Sequence, residues 1–472
     1  MTRAAAVAAI AATLPAFVPA GAAAHAFAQR YDLPLPLWHY LAGAGAAVAL
    51  SFAAIAATGR GRRPRARVAI LRIGVSQARL LACGMRSFGV LAFALLLAAG
   101  IFGRRGDWDS NLLPVAVWIW WWVGLSFLCL VAGDLWRLLD PWRTLAQVAR
   151  LTAWRADLAP AAGNCWPAVA LFFAFSWAEL VWPANADPQR LAALILAYSV
   201  SAWIGMAVIG PVRWRRCCDP FARFFAMLAE CAPLTMRRVR GGWVLLLRWP
   251  GAGLVSRRPP SPSQAAFVVL ALATVGFDGI AETGAWEAVT GRMLAALYAS
   301  GFIHAFGYGA AGTLVKTTGL ALAPVALFAA FALACAATGR IGDEATGRVA
   351  RRFVLSLVPI AAGYHLAHYL AYLLIQGQAG LPLLADPLGL GWDLFGIRGR
   401  EIDIEIIDMR TVWLFAVATI VAGHAVGVAL ADAAARRAYG VRATRSQLPM
   451  AALMVAYTML SLWILSQPIV NV

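Results

Sequence analysis

Charged residues are scarce in this sequence, and lysine is nearly absent. Only 13% of the 472 residues are Asp, Glu, Lys or Arg, Lys316 is the single lysine, and 62% of the residues are hydrophobic. Soluble domains carry charges on about a quarter of their residues, so this composition excludes an ordinary soluble protein. The sequence therefore predicts an all-α, polytopic membrane protein whose helices form a bundle in a lipid bilayer.

Acidic residues are few as well, and their shortage leaves a formal net charge of +18. In a soluble chain such an excess would suggest binding to nucleic acid. Here the arginines cluster between apolar stretches, for example at 60–67, and such clusters mark cytoplasmic loops. We therefore expect no nucleic-acid partner, a multi-pass membrane protein, and both mature termini outside the cytoplasm.

Cysteine is sparse too, with seven residues in the chain. All of them fall on the predicted cytoplasmic side or within predicted spans, so no disulfide is expected. The adjacent Cys217 and Cys218 lack the second pair that would complete a soft-metal site, and ordinary small residues are the preferred interpretation.

Apolar runs of membrane-crossing length divide the chain into about ten predicted spans. They are residues 37–58, 87–102, 112–133, 166–182, 191–209, 265–280, 318–338, 353–375, 412–431 and 449–465. Four tryptophans near the outer end of the third span, at 118 and 120–122, are typical of an interfacial aromatic belt. Residues 25–472 are expected to form one transmembrane domain, with a basic cytoplasmic loop at 212–264 and an extracytoplasmic lid loop at 376–411. In the basic loop we expect amphipathic helices on anionic lipid and a stiff linker.

Residues 1–24 have the pattern of a secretory signal peptide, with Arg3, an apolar core and a small-residue end. Cleavage after Ala24 would make His25 the mature N-terminus, where its amine and ring nitrogen could hold copper in a brace. Cleavage after Ala26 also fits the small-residue rule and would remove His25. A histidine without function at a processing site is therefore the alternative.

A weak internal repeat lies on the predicted cytoplasmic side. Residues 136–142 and 214–221 each run from a tryptophan to an Asp-Pro pair and an aromatic residue, with Asp140 and Asp219 before the prolines. Aspartate followed by proline is typical of the start of a helix. We expect both aspartates to cap short helices.

The most informative polar residues are two histidines inside the eighth predicted span. His365 and His368 are three residues apart, so they project from the same region of a helix, at membrane depth. Ionisable groups there usually face a bundle interior or a wet cavity. The pair is expected to bind one ligand or metal, and a pair of interhelical hydrogen bonds is the alternative.

Further polar residues are predicted in the same outer half of the membrane. His424 lies in the ninth span, Asp278 and Glu282 are four apart at the end of the sixth, Glu179 lies in the fourth, and His304 could fold over the mouth. Three imidazoles with two or three carboxylates are the ligand set of a metal hydrolase or of a proton-coupled transporter. Scattered structural polar pairs are the alternative.

A set of longer motifs runs from the start of the mature chain to the ninth span. They are Asp-Leu-Pro-Leu-Pro at 32–36, Asp-Pro-Trp-Arg at 140–143, Asp-Pro-Phe at 219–221, Gly-Phe-Asp-Gly at 276–279, Tyr-His-Leu-Ala-His-Tyr-Leu at 364–370, Gln-Gly-Gln at 376–378, Gly-Trp-Asp-Leu-Phe-Gly at 391–396 and Ala-Gly-His at 422–424. Together they resemble the bacterial membrane proteins named fenitrothion hydrolase. The resemblance implies an organophosphorus triester hydrolase of the inner membrane that works with a second membrane subunit as a hetero-oligomer.

The sequence thus predicts a phosphotriesterase that hydrolyses a hydrophobic small molecule such as fenitrothion. A divalent metal ion, zinc or copper, held by the histidines at 365, 368 and 424 would lower the pKa of bound water to about 7. Asp278, Glu282 or Glu179 would orient the ligands or act as general base. The alternative is a transporter or channel for a metal ion or small solute, with the same groups as an intramembrane relay and His25 as an outer copper port.

Overall fold

The structure is a computed structural model that describes residues 32–58, 67–106, 108–161, 163–255 and 259–469. The signal peptide expected at 1–24 and His25 lie outside the described residues. The described chain is built almost entirely of helices. These are α1 (Leu37–Thr58), α2 (Val75–Phe102), α3 (Leu112–Ala132), α4 (Trp136–Leu139), α5 (Pro141–Val148), α6 (Trp166–Leu180), α7 (Pro188–Ile209), α8 (Pro211–Cys217), α9 (Pro220–Ala229), α10 (Ala252–Val255), α11 (Pro262–Ile280), α12 (Gly284–Ala299), α13 (Phe302–Gly342), α14 (Thr346–Phe353), α15 (Leu357–Ile375), α16 (Gly380–Ala385), α17 (Met409–Tyr439), α18 (Ala443–Ser446) and α19 (Leu448–Ile469).

Nine helical stretches of the described residues are long and apolar enough to cross a membrane. They are Leu37–Ala57, Val75–Phe102, Leu112–Ala132, Pro188–Ile209, Pro262–Ile280, Phe302–Gly342, Thr346–Ala385, Met409–Ser446 and Leu448–Gln467. The all-α polytopic bundle expected from the sequence is therefore confirmed. The remaining predicted span, 166–182, corresponds to α6, an apolar helix of 15 residues. At 1.5 Å per residue, α6 is about 22 Å long, shorter than the hydrocarbon core of a bilayer.

Several helices are longer than the predicted spans. Helix α2 begins at Val75, and α13 runs for 41 residues from Phe302, with a kink at Gly307, where φ is +82°. Hydropathy reports the part of a helix that lipid surrounds, whereas backbone hydrogen bonding continues beyond it. The apolar pattern of the sequence therefore underestimated the lengths of α2 and α13.

A three-stranded antiparallel sheet lies outside the spans. Its strands are β1 (Val68–Gly74), β2 (Leu234–Val239) and β3 (Gly242–Leu247), in the order β1-β3-β2. The β2–β3 hairpin turns at Arg240 and Gly241, and φ of Gly241 is +85°, a conformation that favours glycine. The basic loop at 212–264 therefore combines helices with a hairpin. The expected amphipathic helices and stiff linker did not include this hairpin, whose strands pair across the turn from Val239 to Gly242.

Helix α15, which carries the histidine pair, belongs to the most enclosed of the nine candidate spans. It crosses α17 at glycines. A Cβ atom added to Gly363 would lie 2.5 Å from the carbonyl oxygen of Thr419, and one added to Gly423 would lie 2.5 Å from that of Pro359. Gly427, four residues further along α17, also faces a backbone carbonyl. Small residues at this spacing let two membrane helices approach closely, which holds α15 firmly in the bundle.

The tryptophans of α3 divide into two pairs. Trp121 and Trp122 turn into the core, where the ring of Trp122 lies 4.5 Å from that of Phe224. Trp118 and Trp120 donate indole N–H bonds of 2.9 Å to backbone carbonyls in the loops after α6 and α15. The expected interfacial belt was wrong for the first pair. These tryptophans lie in a π-helical stretch of α3, Ala116–Gly124. Successive side chains of a helix point in different directions around its axis, so three consecutive tryptophans cannot all face lipid.

Both Asp-Pro pairs start helices, as expected. Asp140 accepts a 2.9 Å hydrogen bond from the backbone N–H of Arg143, and Asp219 accepts one of the same length from Ala222. Both aspartates are almost completely buried. The two copies of the repeat meet inside the protein, where the rings of Trp142 and Phe221 stack with their centroids 6.1 Å apart.

The segment expected to be a lid begins with a 3-10 turn and α16, and then runs to residue 408 without a helix. Gln378 donates to the carbonyl oxygen of Asp403 at 2.9 Å, which ties the two ends of the segment together. Asp386 accepts backbone N–H bonds from Leu390 and Gly391. The start of the lid segment packs on α3. Further along the segment, the side chains of Leu390 and Phe395 are exposed.

Candidate functional site

The polar centre of the bundle lies where the end of α11 meets α15. Nε2 of His368 lies 2.9 Å from Oδ2 of Asp278, and the hydroxyl of Tyr369 donates to the same oxygen at 2.7 Å. The side chains of His368 and Asp278 are only 2% and 17% exposed. A carboxylate held by two side-chain hydrogen bonds in low-dielectric surroundings keeps one orientation. We call Asp278, His368 and Tyr369 the Asp278 cluster.

Glycines on either side of Asp278 make room for this cluster. A Cβ atom at Gly279 would collide with the hydroxyl of Tyr364, and one at Gly276 would lie 3.3 Å from the hydroxyl of Tyr457. The Gly-Phe-Asp-Gly motif therefore lets two tyrosines from neighbouring helices approach α11. The same motif places the carboxylate of Asp278 against His368 and Tyr369 of α15.

His365 faces a different set of neighbours. Its ring lies 4.8 Å from the ring of Tyr369 and 6.3 Å from that of Trp122. Its Nε2 atom is buried and has no hydrogen-bond partner among the described residues. Together with Glu179 and Tyr369, His365 lines a cavity of about 10 Å³. This is about the space that one water molecule needs.

Glu179 reaches that cavity from the penultimate position of α6. Its carboxylate is close enough to that of Asp278 for the two groups to interact electrostatically. Glu179, the cavity, His365 and the Asp278 cluster thus form one continuous polar group. It extends from α6 across α15 to α11, and apolar and aromatic side chains surround it.

His424 lies apart from this group. Its Nδ1 atom is 2.9 Å from the carbonyl oxygen of Ile420 in the same helix. Because a carbonyl only accepts, Nδ1 carries the proton and Nε2 is an acceptor, which has no partner among the described residues. The His424 ring lies 6.2 Å from that of Tyr457 on α19.

The three histidines do not assemble as a ligand set in this structure. The described residues contain no group of three or more His, Cys, Asp or Glu side chains that could hold a metal ion. A spacing of three residues separates two helical side chains by about 60°. His365 therefore points to α3 and α9, whereas His368 points to α11, and its Nε2 is engaged by Asp278. The zinc or copper site expected from the sequence thus lacks a fitting donor set in the described part of the chain.

Two other expected site residues lie at the margin. His304 is exposed near the start of α13, with its ring 4.8 Å from that of Tyr298, and it does not reach the polar group. Glu282 is half-buried just after α11 and is close enough to His368 to interact with it electrostatically. Glu282 therefore lies near the polar group, as expected, whereas His304 lies away from it.

Sequence reasoning missed Tyr369, which links the cavity to Asp278. Its position four residues after His365 places both on one helix face, and this spacing was a usable signal.

Comparison with known proteins gives no match to a protein-family model, to a curated protein or to a solved structure.

Proposed function

We propose that this protein is a membrane-embedded hydrolase of organophosphorus triesters, a phosphotriesterase. The observation that supports it most is the water-sized cavity between His365 and Glu179. An unpartnered imidazole nitrogen and a carboxylate beside one water molecule are the groups that general-base activation of water requires. The resemblance of the sequence motifs to the fenitrothion hydrolases points to the same reaction.

In the proposed reaction, Nε2 of His365 takes a proton from water while the water oxygen adds to phosphorus. The bond from phosphorus to the aryl oxygen breaks, and the proton passes to the departing aryl oxide. The products are a phosphodiester acid and a phenol. Glu179 orients the water, and Tyr369 connects the site to Asp278, which keeps His368 in place.

A neutral triester fits the surroundings of this site. Phe172, Phe224 and Leu180 line the cavity beside the polar groups, and burial of a charged ester there would carry a large desolvation cost. The cavity has room for water alone, so the substrate must enter by separating these side chains. A lipophilic triester dissolved in the bilayer could reach them from the membrane.

The second candidate function is transport of a metal ion or small solute coupled to protons. The observation that favours it is the continuous row of buried protonatable groups from Glu179 to His368, which is typical of proton relays in membrane proteins. A transporter of this kind needs no cavity large enough for a triester. The two candidate functions use the same residues, but only the hydrolase releases a phenol.

One experiment separates them. The purified protein is placed in proteoliposomes with an internal pH dye and supplied with a nitrophenyl dialkyl phosphate. We expect nitrophenol release that is lost in His365→Gln and Glu179→Gln and retained in the exposed control His304→Gln. A change in internal pH that depends on an added metal ion or small solute, with no release of nitrophenol, would favour transport. Full hydrolysis by folded His365→Gln would refute the hydrolase proposal.

A further inference from the structure

A second and much larger cavity lies at the sheet end of the bundle. It occupies about 1400 Å³ between the first half of α2, the short helix α5 and the β2–β3 hairpin. None of the histidines in the described part of the chain lines it. We call it the arginine groove, because six arginines line it: Arg79, Arg86, Arg137, Arg143, Arg238 and Arg248.

Positive charge in the arginine groove exceeds the negative charge available to it. Two carboxylates line the groove, Asp134 and Glu230. Asp134 is already paired with Arg215, which lies outside the lining, at 3.0 Å. Burial, and then the guanidinium of Arg215, lower the pKa of Arg143, and Arg86 acts in the same direction. The guanidinium groups are therefore close enough to repel one another, and a bound anion would relieve that repulsion.

Some of this charge is available for a ligand. Arg248 is fixed by hydrogen bonds of 2.9 Å to the carbonyl oxygens of Ala229 and Ala232, so it serves the fold. No described residue forms a hydrogen bond or ion pair with the side chain of Arg79 or Arg86. Arginine binds phosphate in two-point geometry better than any other side chain.

The α2 wall of the arginine groove, which carries Arg79 and Arg86, also has apolar residues and continues onto the outside of α2. Leu81 and Leu91 line the groove and are exposed, and Leu80 and Phe88 extend the same helix surface, with Phe88 65% exposed. Of the nine candidate spans, α2 is the least enclosed by protein. A bilayer would cover this surface, so the groove opens directly from arginines to lipid.

We propose that the arginine groove binds an anionic phospholipid, with the phosphate headgroup between Arg79, Arg86 and Arg238 and the acyl chains along α2. Charge and shape both support this occupant. A basic pocket beside a membrane span is suited to an acidic headgroup. Free phosphate or a nucleotide would use the arginines and leave the apolar wall uncovered.

The test measures lipid binding to the full protein in detergent by native mass spectrometry. The probes are phosphatidylglycerol and phosphatidylcholine of the same chain length. We expect Arg86→Gln and Arg238→Gln each to weaken phosphatidylglycerol binding about tenfold, as loss of one charge-assisted hydrogen bond predicts. Arg237→Gln is the matched control, since Arg237 precedes Arg238 in β2 and does not line the groove.

Three results would overturn the proposal: equal binding of the two lipids, an equal loss in Arg237→Gln, or displacement of phosphatidylglycerol by millimolar inorganic phosphate, which would indicate a soluble anion. Folding of each variant is checked by gel filtration. If Arg86→Gln does not fold, Arg79→Gln replaces it, because Arg79 is exposed on α2.

Discussion

Asp278 joins groups that come from two helices. Oδ2 of Asp278, on α11, accepts from Tyr369 and lies 2.9 Å from Nε2 of His368, the residue before Tyr369 in α15. The negative charge of Asp278 stabilises a positive charge on this imidazole, and the same oxygen accepts the hydrogen bond that fixes the Tyr369 hydroxyl. Asp278 is therefore the carboxylate that contacts His368 and Tyr369 directly.

Replacement of Asp278 with asparagine tests this role. Asn has the same shape but no charge, so we expect triester hydrolysis to fall by about 100-fold, the usual scale for a group that supports general-base catalysis. Asp393→Asn is the control, because Asp393 is exposed and only accepts backbone N–H bonds. Hydrolysis rates per folded molecule are compared. Equal rates in the two variants would remove Asp278 from the mechanism.

Asp219 provides a prediction about pH. Burial, and then the nearby carboxylate of Asp140, raise the pKa of Asp219. The folded protein thus holds a proton that the unfolded chain releases. This contribution to stability is fully present below the ordinary aspartate pKa of about 3.9 and is lost as the pH rises through the raised value.

We expect the Tm of the wild-type protein to fall between about pH 4 and pH 8, and to fall less in Asp219→Asn. Asn keeps the helix cap of α9 and removes the titration. Asp187→Asn, which changes the exposed cap of α7, is the control. The Tm is measured in detergent across this pH range. The same slope in wild type and Asp219→Asn would contradict the prediction.

At the scale of elements, the position of α15 depends on its close approach to α17. Gly423→Ala would place a methyl group against the backbone carbonyl of Pro359, which cannot move without shifting the helix. We expect a loss of about 1 to 3 kcal/mol in the free energy of unfolding, the usual cost of overpacking. Unfolding curves in denaturant measure it.

The control is Gly291→Ala in α12, where an added Cβ meets no atom within 4 Å. Alanine favours a helix more than glycine does, so Gly291→Ala should leave stability unchanged or raise it. A stable Gly423→Ala variant would show that α15 and α17 can separate without cost. The fixed position of the histidine helix would then lose its explanation.

At the scale of the whole molecule, α6 decides how many times the chain crosses the membrane. Near its start, the backbone N–H of Cys165 donates to Ser263, at the start of α11, and near its end Glu179 lies close to Asp278, at the end of α11. The two helices thus run side by side over nearly the same distance. We expect α6 to cross with α11 although it is short, which gives ten crossings.

This number predicts the side on which the chain ends. With the mature N-terminus outside, a reporter fused after Val472 should be active outside the cytoplasm. Activity inside would mean that α6 does not cross. A second reporter in the turn between α6 and α7, at Asn185, checks the count locally and should also be outside.

The sequence predicted what depends on local patterns. Apolar runs located the spans, and the Asp-Pro pairs at 140 and 219 located two helix starts, because capping involves neighbouring residues. Asp278 and His368 were placed in one layer by counting residues. The direction of His424 could not be obtained in this way, since it depends on how α17 rotates when its glycines pack on α15. The pairing of β1 with β3 joins distant residues, which no local pattern specifies.

The central claim is that a water molecule between His365 and Glu179 attacks phosphorus. A single turnover of a nitrophenyl dialkyl phosphate in water labelled with oxygen-18 tests it most directly, by mass spectrometry of both products. The proposed reaction puts the label into the dialkyl phosphate and leaves the nitrophenol unlabelled. Label in the nitrophenol, an unlabelled dialkyl phosphate, or no product from folded protein would each contradict the claim.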